Sequence, residues 1–140
     1  MTTNILCAVD DTEYSKTAVA LAAGLANALS AELTLFAVNE LIGGAGGKGG
    51  TAAYRWDSGD LQRVLDSATA TAKQSGCSNA KAADVKSRDV ARAIVIYAED
   101  NGFDHIVVGT GGKSGLSRLM LGSVSRDMVA RAHCAVTVAR

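Results

Sequence analysis

Apolar residues enter this chain in two forms, short solid runs and helical stripes, and the two alternate. Ile5 to Val9 is a run that ends on Asp10 and Asp11, the pattern of a strand buried on both faces. In the segment that follows, Ala18, Leu21, Ala22, Leu25 and Leu29 fall on one face of a helix, and Thr12 stands where an N-cap is needed. A capping box would require Glu or Gln at 15, where the chain has Ser15. ELTLFAVNE, from Glu32, shows little alternation and predicts a second buried strand. Leu61, Val64, Leu65, Ala68 and Ala72 mark a second helix, with Gly76 as its stop. A weaker strand is expected around Lys81 to Val85. Val90 and Ile94, with Tyr97 or Ala98, give a third helix that Gly102 ends. DHIVVGT then predicts a strand, Val124, Met128 and Ala132 a fourth helix, and CAVTVA a last strand at 134–139.

Strand and helix thus alternate from one end to the other. That order predicts an α/β fold: one domain over 1–140, a doubly wound, five-stranded parallel sheet of flavodoxin or Rossmann-like type. In such sheets ligands bind outside the carboxyl ends of the strands, where strand order reverses. Three places qualify: the end of the first strand at Asp10, the end of the second at Val38–Glu40, and the stretch from Val107 to Ser125. Residues 43–50 hold six glycines in eight positions. The whole connection 43–57 reads as a flexible loop, expected to lack order without a ligand.

Composition narrows the function classes. Fourteen basic residues balance fourteen acidic ones, so no nucleic-acid partner is expected. An anionic small ligand remains open, because an array of N–H groups needs no net charge. Cys7, Cys77 and Cys134 are odd in number and form no C-x-x-C. That argues against a disulfide framework and a structural zinc site. No apolar run reaches the roughly 18 residues of a membrane span, and nothing resembles a signal peptide. The expectation is a cytoplasmic protein without a membrane partner. His105 and His133 lie apart from any nucleophile pattern, and His105 reads as structural.

The glycine-rich segments differ in what they say. A Walker A loop fails twice. Val107 stands where GGKS at 111–114 needs its first Gly; Ile42 and Gly49 break the match at 46–49. Gly44, Gly46 and Gly49 satisfy G-x-G-x-x-G, but in the wrong place, after the second strand and with no helix opening behind them. The third segment is better ordered: Gly109, two residues, Gly112, nine residues, Gly122 and Ser123. Gly109 and Gly112 would let backbone approach a sugar and phosphate. Gly122 to Ser125 would offer first-turn N–H groups and hydroxyls, with the helix dipole favouring negative charge. The same residues also fit a plain strand–helix connection capped by Ser123.

G-2x-G-9x-G-[ST] resembles the nucleotide signature of the universal stress protein family, in its ATP-binding branch. The likeness extends over ILCAVDDTEYSKTAVALAAGLA, ELTLFAV, the block from Ala93 to Ser125, and CAVTVAR. The resemblance implies strand order 3-2-1-4-5 and binding of ATP, ADP or AMP. By their own chemistry, the carboxylates of Asp10 and Asp11 could hold a Mg²⁺ together with a nucleotide's phosphates. The resemblance places Asp10, Ala8 and Val9 near the adenosine, Val38 against adenine, and Val108 and Gly109 at base and ribose. It places Gly112, Gly122, Ser123, Val124 and Ser125 at the phosphates. Val38 as ordinary core and Asp10 as a turn residue are the plainer alternatives, and Lys113 and Arg118 are either phosphate contacts or solvated cations. The resemblance further implies a homodimer through strand 134–139 and a nucleotide-dependent sensor or regulator in stress response. Ala135 departs from the Pro common among relatives. No catalytic constellation is recognisable, so at most slow ATP hydrolysis is expected. The competing functions are an adenine-nucleotide hydrolase of related fold and a partner-binding module without nucleotide.

Overall fold

The computed structural model describes residues 1–43, 53–110 and 122–140. Its centre is β1 (Asn4–Val9), which pairs in parallel with β2 (Glu32–Ile42) on one side and β5 (His105–Gly109) on the other. Beyond β2 lies β4 (Lys81–Ser87), and beyond β5 lies β6 (Ala135–Ala139), both parallel. Counted among themselves, the five parallel strands follow the expected order 3-2-1-4-5. A sixth strand was not expected. β3 (Ala53–Tyr54) runs antiparallel to the last two residues of β2. A two-residue strand is too short to leave a periodic signal in sequence.

Two helices cover each face. α1 (Glu13–Leu29) and α2 (Ser58–Gln74) pack on Cys7, Val9, Leu33, Leu35 and Val107. α3 (Val90–Asp100) and α4 (Ser123–Arg131) pack on Leu6, Phe36, Val38, Ile106 and Val108. Neighbouring residues of β1, β2 and β5 therefore point into opposite cores, which is why these strands read as solid apolar runs. Phe36, Tyr97 and Phe103 stack in the second core, with centroids 4.2 and 5.9 Å apart.

One helical face needs correction. Leu21 and Leu29 of α1 are 39% and 44% exposed. The buried face is Ser15, Ala18, Val19, Ala22, Ala23 and Ala26. Small side chains let this helix lie close on the sheet, so the leucines ride on its flank. The alanines also fit the helical period, and leucine size misplaced the stripe. α2 matches its expected face at Val64, Leu65, Ala68 and Ala72, with Leu61 half-buried at its margin.

The strands end at different heights. β1 stops at Val9, opposite Ala37 of β2. β2 runs on to Ile42, held by β4 as far as Glu40 and then by β3. Val38 to Ile42 thus run past the end of β1 as a wall, unpaired on that side. Among the described residues no helix is long and apolar enough to cross a membrane.

Candidate functional site

At the end of β1 the chain turns to α1 on one face, and at the end of β5 it heads for α4 on the other. This divergence opens a cleft of about 380 Å³ at the carboxyl ends of the strands, where a doubly wound sheet presents its ligand site. Its apolar side is Phe36 and Val38 of β2, Ile94 of α3 and Val108 of β5. Its polar side is the Asp10–Ser15 turn and the start of α4.

The turn is rigid by its own hydrogen bonds. Oδ1 of Asp10 accepts from the Thr12 N–H at 2.9 Å and the Thr12 hydroxyl at 2.6 Å. Thr12 Oγ1 accepts from the Ser15 N–H at 3.3 Å, capping α1. The Asp10 N–H donates to Ser15 Oγ at 3.0 Å. Ser15 thus accepts from the N–H two residues before the Thr12 N–H that a capping-box glutamate would take. Asp10 is a turn residue and a cleft residue at once. Its Oδ2 receives no hydrogen bond from a described residue.

α4 begins differently. Thr12, Asp57 and Asp89 each place a side chain over the first turns of α1, α2 and α3. α4 has Gly122 at its N-cap and no side-chain cap bond. The first helical N–H with a backbone partner is that of Arg126, 3.0 Å from the Gly122 carbonyl. The N–H groups of Ser123, Val124 and Ser125 stand ahead of it, and these residues line the cleft. Three uncapped donors at the positive end of a helix form an anion-binding arrangement.

Two details alter what the sequence suggested. The Ser125 hydroxyl, expected at a phosphate, donates to the Gly109 carbonyl and fastens α4 to the end of β5; its N–H is left without a backbone partner among the described residues. Gly109 is required by the protein itself. A Cβ there would lie 2.6 Å from the Tyr14 carbonyl oxygen and 2.9 Å from its carbon. The residue makes room for the first turn of α1. The Thr110 carbonyl accepts from the Gly122 N–H at 2.9 Å, so the chain leaves β5 and enters α4 from adjacent points.

The far wall was not foreseen. Residues 53–57, read as part of a loop ordered only by ligand, are fixed in this structure. Asn39, 3% exposed, clamps Trp56 from both sides: its Oδ1 accepts from the Trp56 N–H at 2.9 Å, and its Nδ2 donates to the Trp56 carbonyl at 2.8 Å. Trp56 Nε1 donates to Asp11 Oδ2 at 3.4 Å, and Arg55 pairs with Asp11 Oδ1 at 3.0 Å. Asp57 then caps α2 by accepting from the Asp60 N–H at 2.7 Å. The available signal was a lone tryptophan between a glycine tract and a helix start, a residue too large and apolar for a solvated linker.

Most expected site residues meet in this cleft. Ala8, Val9 and Asp10 come from β1 and its turn, Val38 from β2, and Val108 and Gly109 from β5. Ser123, Val124 and Ser125 complete the set, with Gly122 behind them as the N-cap. Gly112, Lys113 and Arg118 lie outside the described residues, as do Gly44, Gly46 and Gly49. Asp10 and Asp11 have different partners. Both Asp11 oxygens are engaged by Arg55 and Trp56. Among the described residues no three His, Cys, Asp or Glu side chains gather to hold a metal ion. A cation here would rest on Asp10 Oδ2 and on oxygens that a ligand brings.

Groups outside the cleft have structural roles. His105 joins β5 to β6 through Nε2 and Thr137 Oγ1 at 2.6 Å. Cys7 is fully buried, which pushes its thiol up to about 12 and leaves it unreactive. A second cleft of about 610 Å³ lies between α1 and α2 and shares Asp10, Thr12, Ser15, Arg55 and Trp56 with the first. Apart from Asp10, its charged lining is already paired, Asp11 with Arg55, Glu13 with Lys16 and Asp60 with Arg63.

The chain is similar to known proteins in sequence and fold. A universal stress protein from Methanocaldococcus jannaschii is 48% identical over 50 residues, 36% of this chain and 29% of that relative. A universal stress protein crystallised in complex with cAMP superposes with a TM-score of 0.78 at 23% identity, covering 99% of this chain and 97% of the other. One from Lactobacillus plantarum gives 0.75 at 23% identity, covering 99% and 98%. One from Archaeoglobus fulgidus in complex with dAMP gives 0.67 at 20% identity, again over 99% and 98%. The model of the universal stress protein family matches residues 1–140, and this chain belongs to that family.

Proposed function

We propose that this protein binds an adenine nucleotide in the cleft between β2, β5 and α4, and serves as a cytoplasmic, nucleotide-dependent sensor or regulator in stress response. The observation that carries the reading is the uncapped first turn of α4. Its three N–H donors open into a cleft whose other end is apolar. Phosphates take the helix terminus, and the base takes the slot of Phe36, Val38 and Val108. Family relatives support the ligand class, since two similar structures were determined with cAMP and dAMP.

ATP, ADP and AMP share the required features. Asp10 faces the sugar side, and with a triphosphate its free oxygen can add to a Mg²⁺ coordinated chiefly by phosphate. Calorimetry with nucleotide-stripped protein tests the proposal. A micromolar Kd is expected, about −8 kcal/mol. Gly122→Val or Ser123→Glu should abolish it while far-UV circular dichroism is retained; absence of heat with all three nucleotides would refute the reading.

The protein is also proposed to form a homodimer through β6. Among the described residues β6 has one ladder partner, β5, and its outer edge bears Val136, Thr137 and Val138 half-buried. Such an edge favours pairing with a second copy. Sedimentation should give a dimer that Ala135→Lys converts to monomer; a monomeric wild-type protein at micromolar concentration overturns this.

A further inference from the structure

Resting on the adenine-nucleotide reading, we propose that Glu40 reads the base, its carboxylate accepting a hydrogen bond from the exocyclic 6-amino group. Three observations lead there. Glu40 lines the cleft and lies on the same side of β2 as Phe36 and Val38, the wall of the apolar slot. It stands beyond the end of β1, on the part of β2 that is paired with β4 alone. Two ladder steps of about 4.8 Å separate β2 from β5, so Glu40 sits across the cleft from the α4 terminus. A nucleotide with its phosphates at Ser123–Ser125 and its base against Val38 therefore directs the outer edge of the base toward Glu40.

The charges in the cleft agree. Asp10 is tied to Thr12, and Arg55 is paired with Asp11. The Glu40 carboxylate has no hydrogen bond or ion pair with a described residue. An ionised carboxylate only accepts. It therefore favours a 6-aminopurine, which offers a donor, over a 6-oxopurine, which presents another acceptor. Glu40 lies outside the glycine motif, on the wall that the extension of β2 beyond β1 builds.

The experiment compares ATP with ITP, which differ at the 6-position, on wild-type protein, Glu40→Gln and Glu40→Ala. Wild-type protein should prefer ATP by about tenfold or more. Glu40→Gln, which can donate to a 6-oxo group, should narrow that ratio to within about threefold, mainly by gaining ITP affinity. Glu40→Ala should narrow it by losing ATP affinity. An unchanged ratio in both variants overturns the assignment, as does equal affinity of the wild type for the two nucleotides. Failure of every nucleotide to bind would instead overturn the site itself, so the two failures are distinguishable. The half-exposed, unpaired position of Glu40 makes folded variants the expectation, checked by their melting temperatures.

Discussion

Gly109 and Gly24 show how differently two glycines can be held. At Gly109 a methyl group would press on the backbone of Tyr14 at 2.6 Å, and backbone cannot step aside as a flexible side chain can. Gly109→Ala should cost about 1–3 kcal/mol in denaturant unfolding and weaken nucleotide binding, because the start of α1 must move. Gly24 lies inside α1, where an added methyl group would meet nothing within 4 Å. Gly24→Ala should therefore stabilise by about 0.5–1 kcal/mol, through helix propensity alone. Equal effects at the two sites would contradict the contact at Tyr14. The sequence made Gly109 look like a ligand glycine, and its place at a strand end was right. The reason was hidden, because the residue that requires it is 95 positions away in the chain and adjacent only in the fold.

At the scale of elements, the clamp between Asn39 and Trp56 decides whether the cleft has its far wall. Asn39→Ala would leave the buried N–H and carbonyl of Trp56 without partners. Each unsatisfied group costs about 1–3 kcal/mol, so the variant should lose roughly 2–6 kcal/mol of stability and should release β3 from β2. Hydrogen exchange at Tyr54 to Trp56 would read that release; protection equal to wild type would show that β3 holds itself. Helices such as α2 and α3 were legible because burial imposes a period on them, and parallel strands because burial on both faces makes solid apolar runs; the strand order came from the resemblance to the family. The wall was not, since Asn39 and Trp56 are a single long-range pair and a pair has no period. The same limit applied at the Ser125 hydroxyl. Its position at the helix start was readable, but its bond to the Gly109 carbonyl depends on how closely α4 docks against β5.

For the whole molecule, two carboxylates couple the fold to pH. Asp104 loses some hydration by burial, which raises its pKa. The Thr3 and Asn4 N–H groups and the Thr3 hydroxyl more than offset this, leaving it below the usual carboxylate value. It thereby pins the amino-terminal segment to the entry of β5. Asp89 is lowered first by the Arg92 N–H that it caps and then by Arg131, which ties α3 to α4. Both folded values lie below the unfolded one, about 3.9. The unfolded chain therefore takes up protons first as pH falls. Their contribution is complete above about pH 5 and is lost as pH drops through 4 toward the folded values. Asp104→Asn should flatten that part of a stability–pH curve measured by denaturant midpoint; an unchanged slope would assign the acid sensitivity elsewhere.

The placement of Trp56 has a spectroscopic consequence. It is the one tryptophan in the sequence, so the tryptophan emission of the protein comes from a single environment. That environment is unusual: the indole is 6% exposed, with a carboxylate on its N–H and the Arg55 guanidinium 5.1 Å from its ring centre. The ring also borders both clefts. Occupation of either cavity alters charges within a few ångströms of the chromophore, so this molecule carries its own optical reporter and needs no attached dye.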